Sequence, residues 1–171
     1  MPLPTITAIS GPYTVTWNGT SLGVTEDGIE LEHVTFVEPV RGDNLGDSKQ
    51  DGVYRGGDVF VNFVLQEYSV ANLALGPSNG KVWHPYHQTF GTIGVVGNIQ
   101  TNYSAPLVFT AVAGTPAANQ PTTVEIFSAI LAENFPIRLL FAARHRKIPM
   151  RMQALPDEYT GASTPSWYAF S

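Results

Sequence analysis

The sequence predicts a mainly β fold: two packed antiparallel sheets, sandwich-like or barrel-like, with one short flanking helix and one long protruding hairpin loop. Its 16 Gly and 13 Pro accompany a charged fraction of only 13%, a composition typical of many short strands joined by turns. Apolar and polar residues alternate with period two in several segments, which is the pattern of half-buried strands. A length of 171 residues fits one domain, 1–171, large enough to bury a core.

The first elements read as strands around a tight turn. Residues 5–9 predict an edge strand or a mobile arm. Over residues 13–17, Tyr, Val and Trp alternate with two Thr. Asn18-Gly19 follows, and this pair favours a two-residue hairpin because both positions accept positive φ. The chain is therefore expected to return through residues 21–24.

A change of phase marks the next strand, residues 29–37. Ile29 and Leu31 share one face and Glu30 lies on the other, but Val34 and Phe36 then continue the Glu side. The change predicts either a bulge or a strand that is buried on different faces along its length.

Residues 38–58 are predicted to form the long loop. They are rich in Gly and charged residues and lie between two strand-like runs. Loops of this length inside a domain are usually functional or disordered. We predict a long hairpin whose tip projects from the body and contacts another molecule. Its charged residues are Glu38, Arg41, Asp43, Asp47, Lys49, Asp51, Arg55 and Asp58.

The rest of the chain alternates strands and loops around one helix. Residues 67–75 predict the helix, which Gly76-Pro77 ends. Strands are predicted over 59–66, over 99–113 with a bend or end near Pro106, over 122–134, over 137–143 and over 147–155. At 122–134 the β-branched content favours a strand over a helix. Pro149 places the 147–155 strand at an edge or a bulge. The aromatic tail, 156–171, is expected to dock on the body or on a neighbour.

Charge is unevenly distributed along the chain. The net charge is −5, which argues against a general DNA-binding surface. Ten of the 14 acidic residues lie between Glu26 and Glu67. The basic residues cluster in 138–151: Arg138, Arg144, Arg146, Lys147 and Arg151. Each cluster alone is typical of a solvated face, but the split also suits head-to-tail association.

Several function classes find no support in the residues. Cysteine is absent, which excludes disulfides and thiolate chemistry. The start of the chain lacks a signal-peptide pattern and no apolar run is long enough to span a membrane, so we expect synthesis in a cytoplasm and no membrane partner. Nucleophile-elbow and phosphate-loop motifs are missing, and Pro85 disfavours a helical metal site at His84 and His87. We expect no enzyme activity and no cofactor.

Taken together, the order of elements resembles that of the major tail tube proteins of long-tailed bacteriophages, which are relatives of the ring-forming tube protein of type VI secretion. Three stretches carry the resemblance: the opening GPYTVTWNGTSLGVTEDGIEL, the charged loop 38–58 followed by EYSVANLAL, and the ending FSAILAENFPIRLLFAARHRKIPMRMQALPDE. Together they cover most of the chain.

The resemblance implies a structural virion protein assembled in the host cytoplasm. Six copies would form a ring, rings would stack into a hollow tube, and DNA would pass through without specific binding. Partners would be the chain itself and other tail proteins: terminator, tape measure and baseplate or tip. The loop would make the inter-ring contact through Arg41, Asp43, Asp47, Lys49, Asp51 and Arg55. The charge split suggests Arg144, Arg146, Lys147 and Arg151 as a complementary basic edge. An acidic lumen would repel DNA, and Glu30 and Glu32 are candidates for lumen-facing acids because they project from one face of a strand.

Two alternative functions would not produce stacked rings. A tail terminator or completion protein would close after one ring and would not need a propagating loop. A β-sandwich carbohydrate-binding module would use aromatic residues such as Trp83, Tyr86 and Phe90 to stack on sugars, although aromatic residues of this kind are more often buried.

Overall fold

The computed structural model describes residues 5–41, 49–66, 104–112, 120–132, 147–156 and 166–171. Within these residues the chain is mainly β and antiparallel, as predicted, and contains no helix. The strands are β1 Thr5–Ile9, β2 Tyr13–Trp17, β3 Thr20–Arg41, β4 Lys49–Leu65, β5 Ala105–Ala111, β6 Thr123–Leu131, β7 Ile148–Ala154 and β8 Tyr168–Phe170. The predicted helix 67–75, the segment 78–98 and the predicted strand 137–143 lie outside the described residues.

The described strands belong to one hydrogen-bonded sheet. Its order is β1-β3-β2-β5-β6-β7-β4, and β8 also pairs with β6. Because β4 pairs with β3 as well as with β7, the pairings of six strands return to their starting point. The pairings thus link all described strands and do not by themselves separate two packed sheets. No helix among the described residues has the length and apolar character needed to cross a membrane.

The core is formed by alternate side chains of these strands. In β2 and β7 every second residue is buried, which is the period-two pattern expected when one face of a sheet packs inward. Phe63 of β4 meets Phe109 of β5 edge to face, with ring centroids 5.1 Å apart. Trp17 is fully buried and its indole Nε1 donates to Ala129 O at 3.2 Å, so its polar atom is satisfied inside the core.

The first hairpin forms as predicted. Asn18 and Gly19 both have positive φ, 50° and 75°, as the tight turn requires. β1 pairs only with β3 among the described residues, which confirms an edge strand at 5–9. The β2–β3 contact is reinforced where the buried Thr25 Oγ1 accepts from Tyr13 N at 2.9 Å.

The hairpin of β3 and β4 differs from the prediction in two respects. Both strands continue into the range predicted as loop, so that Glu38–Arg41 and Lys49–Asp58 are strand residues. The register also runs without interruption from Ile29 to Phe36, so the bulge, one of the two predicted explanations of the phase change, is absent there. The shifts lie instead between Thr25 and Ile29, Phe36 and Val37, and Val40 and Arg41. Of the two predicted explanations of the phase change, the change of face is the one consistent with this register.

The C-terminal strands agree with the sequence patterns. The segment 122–134 contains strand β6, as preferred over a helix. β7 pairs with β4 along its whole length but with β6 only from Met152 to Ala154, so Pro149 lies where the described pairing is one-sided. The chain end docks on the body: β8 pairs with β6, and Trp167 and Tyr168 pack against the core.

Candidate functional site

The far part of the β3–β4 hairpin extends beyond the rest of the sheet. Pairing of β3 with β1 ends at His33, and pairing of β4 with β7 ends at Val59. Past these positions β3 and β4 pair only with each other among the described strands. We call residues 34–41 and 49–58 the arm. At about 3.3 Å per residue, its eight β3 residues span about 26 Å.

The arm carries most of the exposed large apolar side chains of the described part of the protein. Five of six are on it, and the sixth is Phe170 of β8. The arm residues, with their exposed fractions, are Phe36 43%, Val37 40%, Val40 43%, Val53 47% and Tyr54 58%. An isolated two-stranded ribbon is at best marginally stable in water, and concentrated exposed apolar residues mark interaction surfaces.

These apolar residues lie on both faces of the arm. One face continues the side of β3 that carries Glu30, and we call it the outer face. It holds Phe36, which pairs with Gly56, and Val53, which pairs with Glu38. The other, the core face, continues the side of Leu31 and holds the directly paired Val37 and Tyr54.

Three charged residues of the arm are engaged within it. Arg55 Nε donates to Glu38 Oε2 at 2.6 Å, and Asp51 Oδ1 accepts from Gly52 N at 2.7 Å. Arg41 and Lys49 are partners in the backbone register, at the end of the described ribbon. The other two predicted contact residues, Asp43 and Asp47, lie outside the described residues.

The two acids predicted to face a lumen lie on the outer face of β3, but they differ in their partners. Glu32 Oε2 is 2.9 Å from a guanidinium nitrogen of Arg151, whose guanidinium also lies 4.3 Å from the ring centroid of Phe60. Glu30 Oε1 accepts from Asn62 Nδ2 at 3.0 Å, and no described cation pairs with it. Of these two acids, only Glu30 lacks a basic partner among the described residues.

The predicted basic edge is used internally where it can be followed. Arg151 pairs with Glu32, and Lys147 donates to Glu26. Arg144 and Arg146 lie outside the described residues. Two of the four basic residues thus have acidic partners within the same chain.

An open cleft lies beside β1, with a volume of about 420 Å³. That volume is within the range of about 300–1,000 Å³ typical of ligand-sized pockets. Ile9, Phe63, Val64, Pro149 and Met150 contribute apolar surface to it. Its acidic lining residues, Asp27 and Glu30, have no basic partner among the described residues.

The base of the arm is fixed to the C-terminal segment. The rings of His33 and Trp167 meet edge to face with centroids 5.2 Å apart. Trp167 O in turn accepts from Phe127 N at 3.2 Å. The C-terminal segment therefore holds the core face of β3 just below the point where the arm begins.

The apolar arm residues are the part of the site that sequence analysis missed. Val40, Val53 and Tyr54 stand among many Gly and charged residues, which concealed them inside a segment read as a polar loop. The β-favouring residue types at these three positions were the only signal that could have indicated strands there. No group of three or more His, Cys, Asp or Glu within the described ranges could hold a metal ion.

Comparison with models of known protein families finds no match for this sequence, and comparison with curated proteins finds no match either.

Proposed function

We propose that this protein is a structural subunit that assembles head to tail with copies of itself, as a tail tube subunit of the bacteriophage type does. The observation that carries the proposal is the arm, a two-stranded ribbon about 26 Å long that exposes five large apolar side chains. Burying them in a neighbouring molecule would contribute roughly 25 cal/mol for each Å² of apolar surface removed from water.

The body offers a receiving surface for the arm of another copy. The cleft lies near Ile29 and Phe63, which pair on the body, whereas Val40 is eleven positions further along β3. At about 3.3 Å per residue this separates the cleft from the end of the arm by about 36 Å. A straight arm therefore cannot fill the cleft of its own chain.

Charge also favours the cleft over the basic edge as the receiving surface. Asp27 and Glu30 line the cleft without basic partners among the described residues, while the sequence of the arm includes the basic residues Arg41 and Lys49. An acidic cleft would attract the basic residues of an arm from another copy. Arm and cleft are different surfaces, so their contact is heterologous and propagates instead of closing a dimer.

The test is negative-stain electron microscopy of the purified protein over a concentration series, beside an armless variant. Replacing residues 36–56 with Asn-Gly joins the paired residues Thr35 and Gly57 through a two-residue hairpin and leaves the body strands unchanged. We expect hollow filaments from the wild type, and rings or monomers from the armless variant with a retained β circular dichroism spectrum.

Other outcomes would favour a different function or a different role for the arm. Single rings that never stack, with or without the arm, would favour a terminator-like protein. A monomer at every concentration, retained on a polysaccharide column, would favour a carbohydrate-binding module. Filaments that persist without the arm would contradict the role of the arm while leaving self-assembly in place.

A further inference from the structure

The distribution of apolar residues on the arm restricts how it is bound. A sheet covered on one side shows apolar residues on that face and polar residues on the other. The arm instead exposes Phe36, Val40 and Val53 on the outer face, and Val37 and Tyr54 on the core face. If the arm lay on the surface of a single neighbour, one of these two groups would stay in water.

The dimensions of the arm make burial of both faces advantageous. Two strands spaced by about 4.8 Å make a ribbon roughly 10 Å wide, so each face projects roughly 260 Å² over its length of about 26 Å. Covering both faces doubles the area that the arm contributes to contacts, to roughly 520 Å².

We infer that the arm is held between two further copies of this chain, with its outer face against one copy and its core face against the other. This inference rests on the proposed function, and it adds that each chain receives two arms, because in a regular assembly every copy has the same contacts. One receiving surface is the cleft beside β1, and the second is a different surface of the body. Such an arm would tie three chains together and would make stacking depend on a neighbouring pair.

The test removes apolar surface from one face at a time. One variant carries Phe36→Ser and Val53→Ser on the outer face, and the other carries Val37→Ser and Tyr54→Ser on the core face. Phe170→Ser is the matched control, because Phe170 is as exposed as the arm residues (49%) but belongs to β8. We expect each double variant to raise the concentration needed for filament formation about tenfold or more, and the control to leave it within about twofold.

A second measurement keeps the side chains large. A photo-reactive phenylalanine analogue is placed at Phe36 in one variant and at Tyr54 in another, and assembled filaments are irradiated and digested. We expect intermolecular cross-links from both positions, to different peptides. In filaments built from a mixture of unlabelled and heavy-isotope chains, both positions are expected to link chains of different label.

The outcomes distinguish a failure of two-sided binding from a failure of self-assembly. If one double variant assembles like the wild type, or if one position yields no intermolecular cross-link, the arm is bound on one face and the inference is wrong while self-assembly stands. Cross-links from both positions to the same peptide would also overturn it. Absence of any wild-type assembly would overturn the proposed function, and the inference with it.

Discussion

Gly28 lies close to the backbone at the end of β1, and its replacement by Ala tests that close approach. A Cβ at Gly28 would lie 2.0 Å from Ile9 O and 3.1 Å from Ile9 C and Ser10 Cα. All three are backbone atoms, which cannot move aside as the end of a side chain can. Gly19 provides the matched control: it too has positive φ, 75° against 103°, but a Cβ there meets nothing within 4 Å.

The expected cost follows from two contributions. Ala at positive φ costs about 1–2 kcal/mol at either position. At Gly28 an ordinary contact of 3.4 Å would also require the β1 backbone to move by 1.4 Å, the difference between 3.4 and 2.0 Å. That movement would expose Ile9, which is 5% exposed, and burying such a side chain contributes about 1.5–3 kcal/mol. We therefore expect Gly28→Ala to destabilise the protein by about 2 kcal/mol more than Gly19→Ala.

Urea unfolding followed by circular dichroism measures this difference. With a slope near 2 kcal/mol per M, the midpoint of Gly28→Ala should lie about 1 M below that of Gly19→Ala. The reasoning is refuted if the two midpoints agree within about 0.2 M, because the close approach of the backbones would then contribute nothing.

Three further predictions concern buried or paired polar groups. Thr25→Val removes the acceptor of the buried Tyr13 N and should lower the free energy of unfolding by about 1–3 kcal/mol. Thr14→Val, at an exposed site, is the control and should change that free energy by about 0.5 kcal/mol or less. Equal urea midpoints for the two variants would contradict this prediction. Burial raises the pKa of the Tyr13 phenol, so the unfolded state loses that proton at a lower pH than the folded state. Stability should therefore be constant below about pH 10 and fall as the pH rises above it. The melting temperature of Tyr13→Phe should fall less steeply than that of the wild type over that range, and an equal slope would count against the prediction. Arg151→Ala removes a guanidinium that is paired with Glu32 and lies over Phe60, and it should lower the free energy of unfolding by about 1–2 kcal/mol. Arg55, whose side chain is 62% exposed, is the control, and Arg55→Ala should lower it by less than about 1 kcal/mol. A larger loss for Arg55→Ala than for Arg151→Ala in urea unfolding would contradict this prediction.

Local pattern was sufficient for much of the body. The alternation around Val15 predicted β2, Asn18-Gly19 predicted the turn after it, and Ile148 to Ala154 predicted the buried face of β7. These features depend on neighbours within a few residues, because side-chain direction in a strand alternates regardless of the partner strand. The aromatic tail was also expected to dock, since three aromatic residues are seldom left in water.

Features set by long-range pairing were not predictable in the same way. A Gly-rich, charged segment is locally typical of a loop, yet Gly52 and Gly57 are strand residues because they pair with β3. The resemblance to tail tube proteins predicted a contact at the tip but not the apolar faces of the arm.

By itself, the sequence determined the β class of the protein, the first hairpin, the alternate residues that form the core and the existence of a long projecting hairpin. The tertiary structure alone decided how far the arm's strands extend, that Lys147 and Arg151 are already paired with Glu26 and Glu32, and that an acidic cleft lies beside β1. The physical reason is sequence separation: these pairings join residues up to 121 positions apart, and only the folded sheet brings their charges and apolar surfaces together.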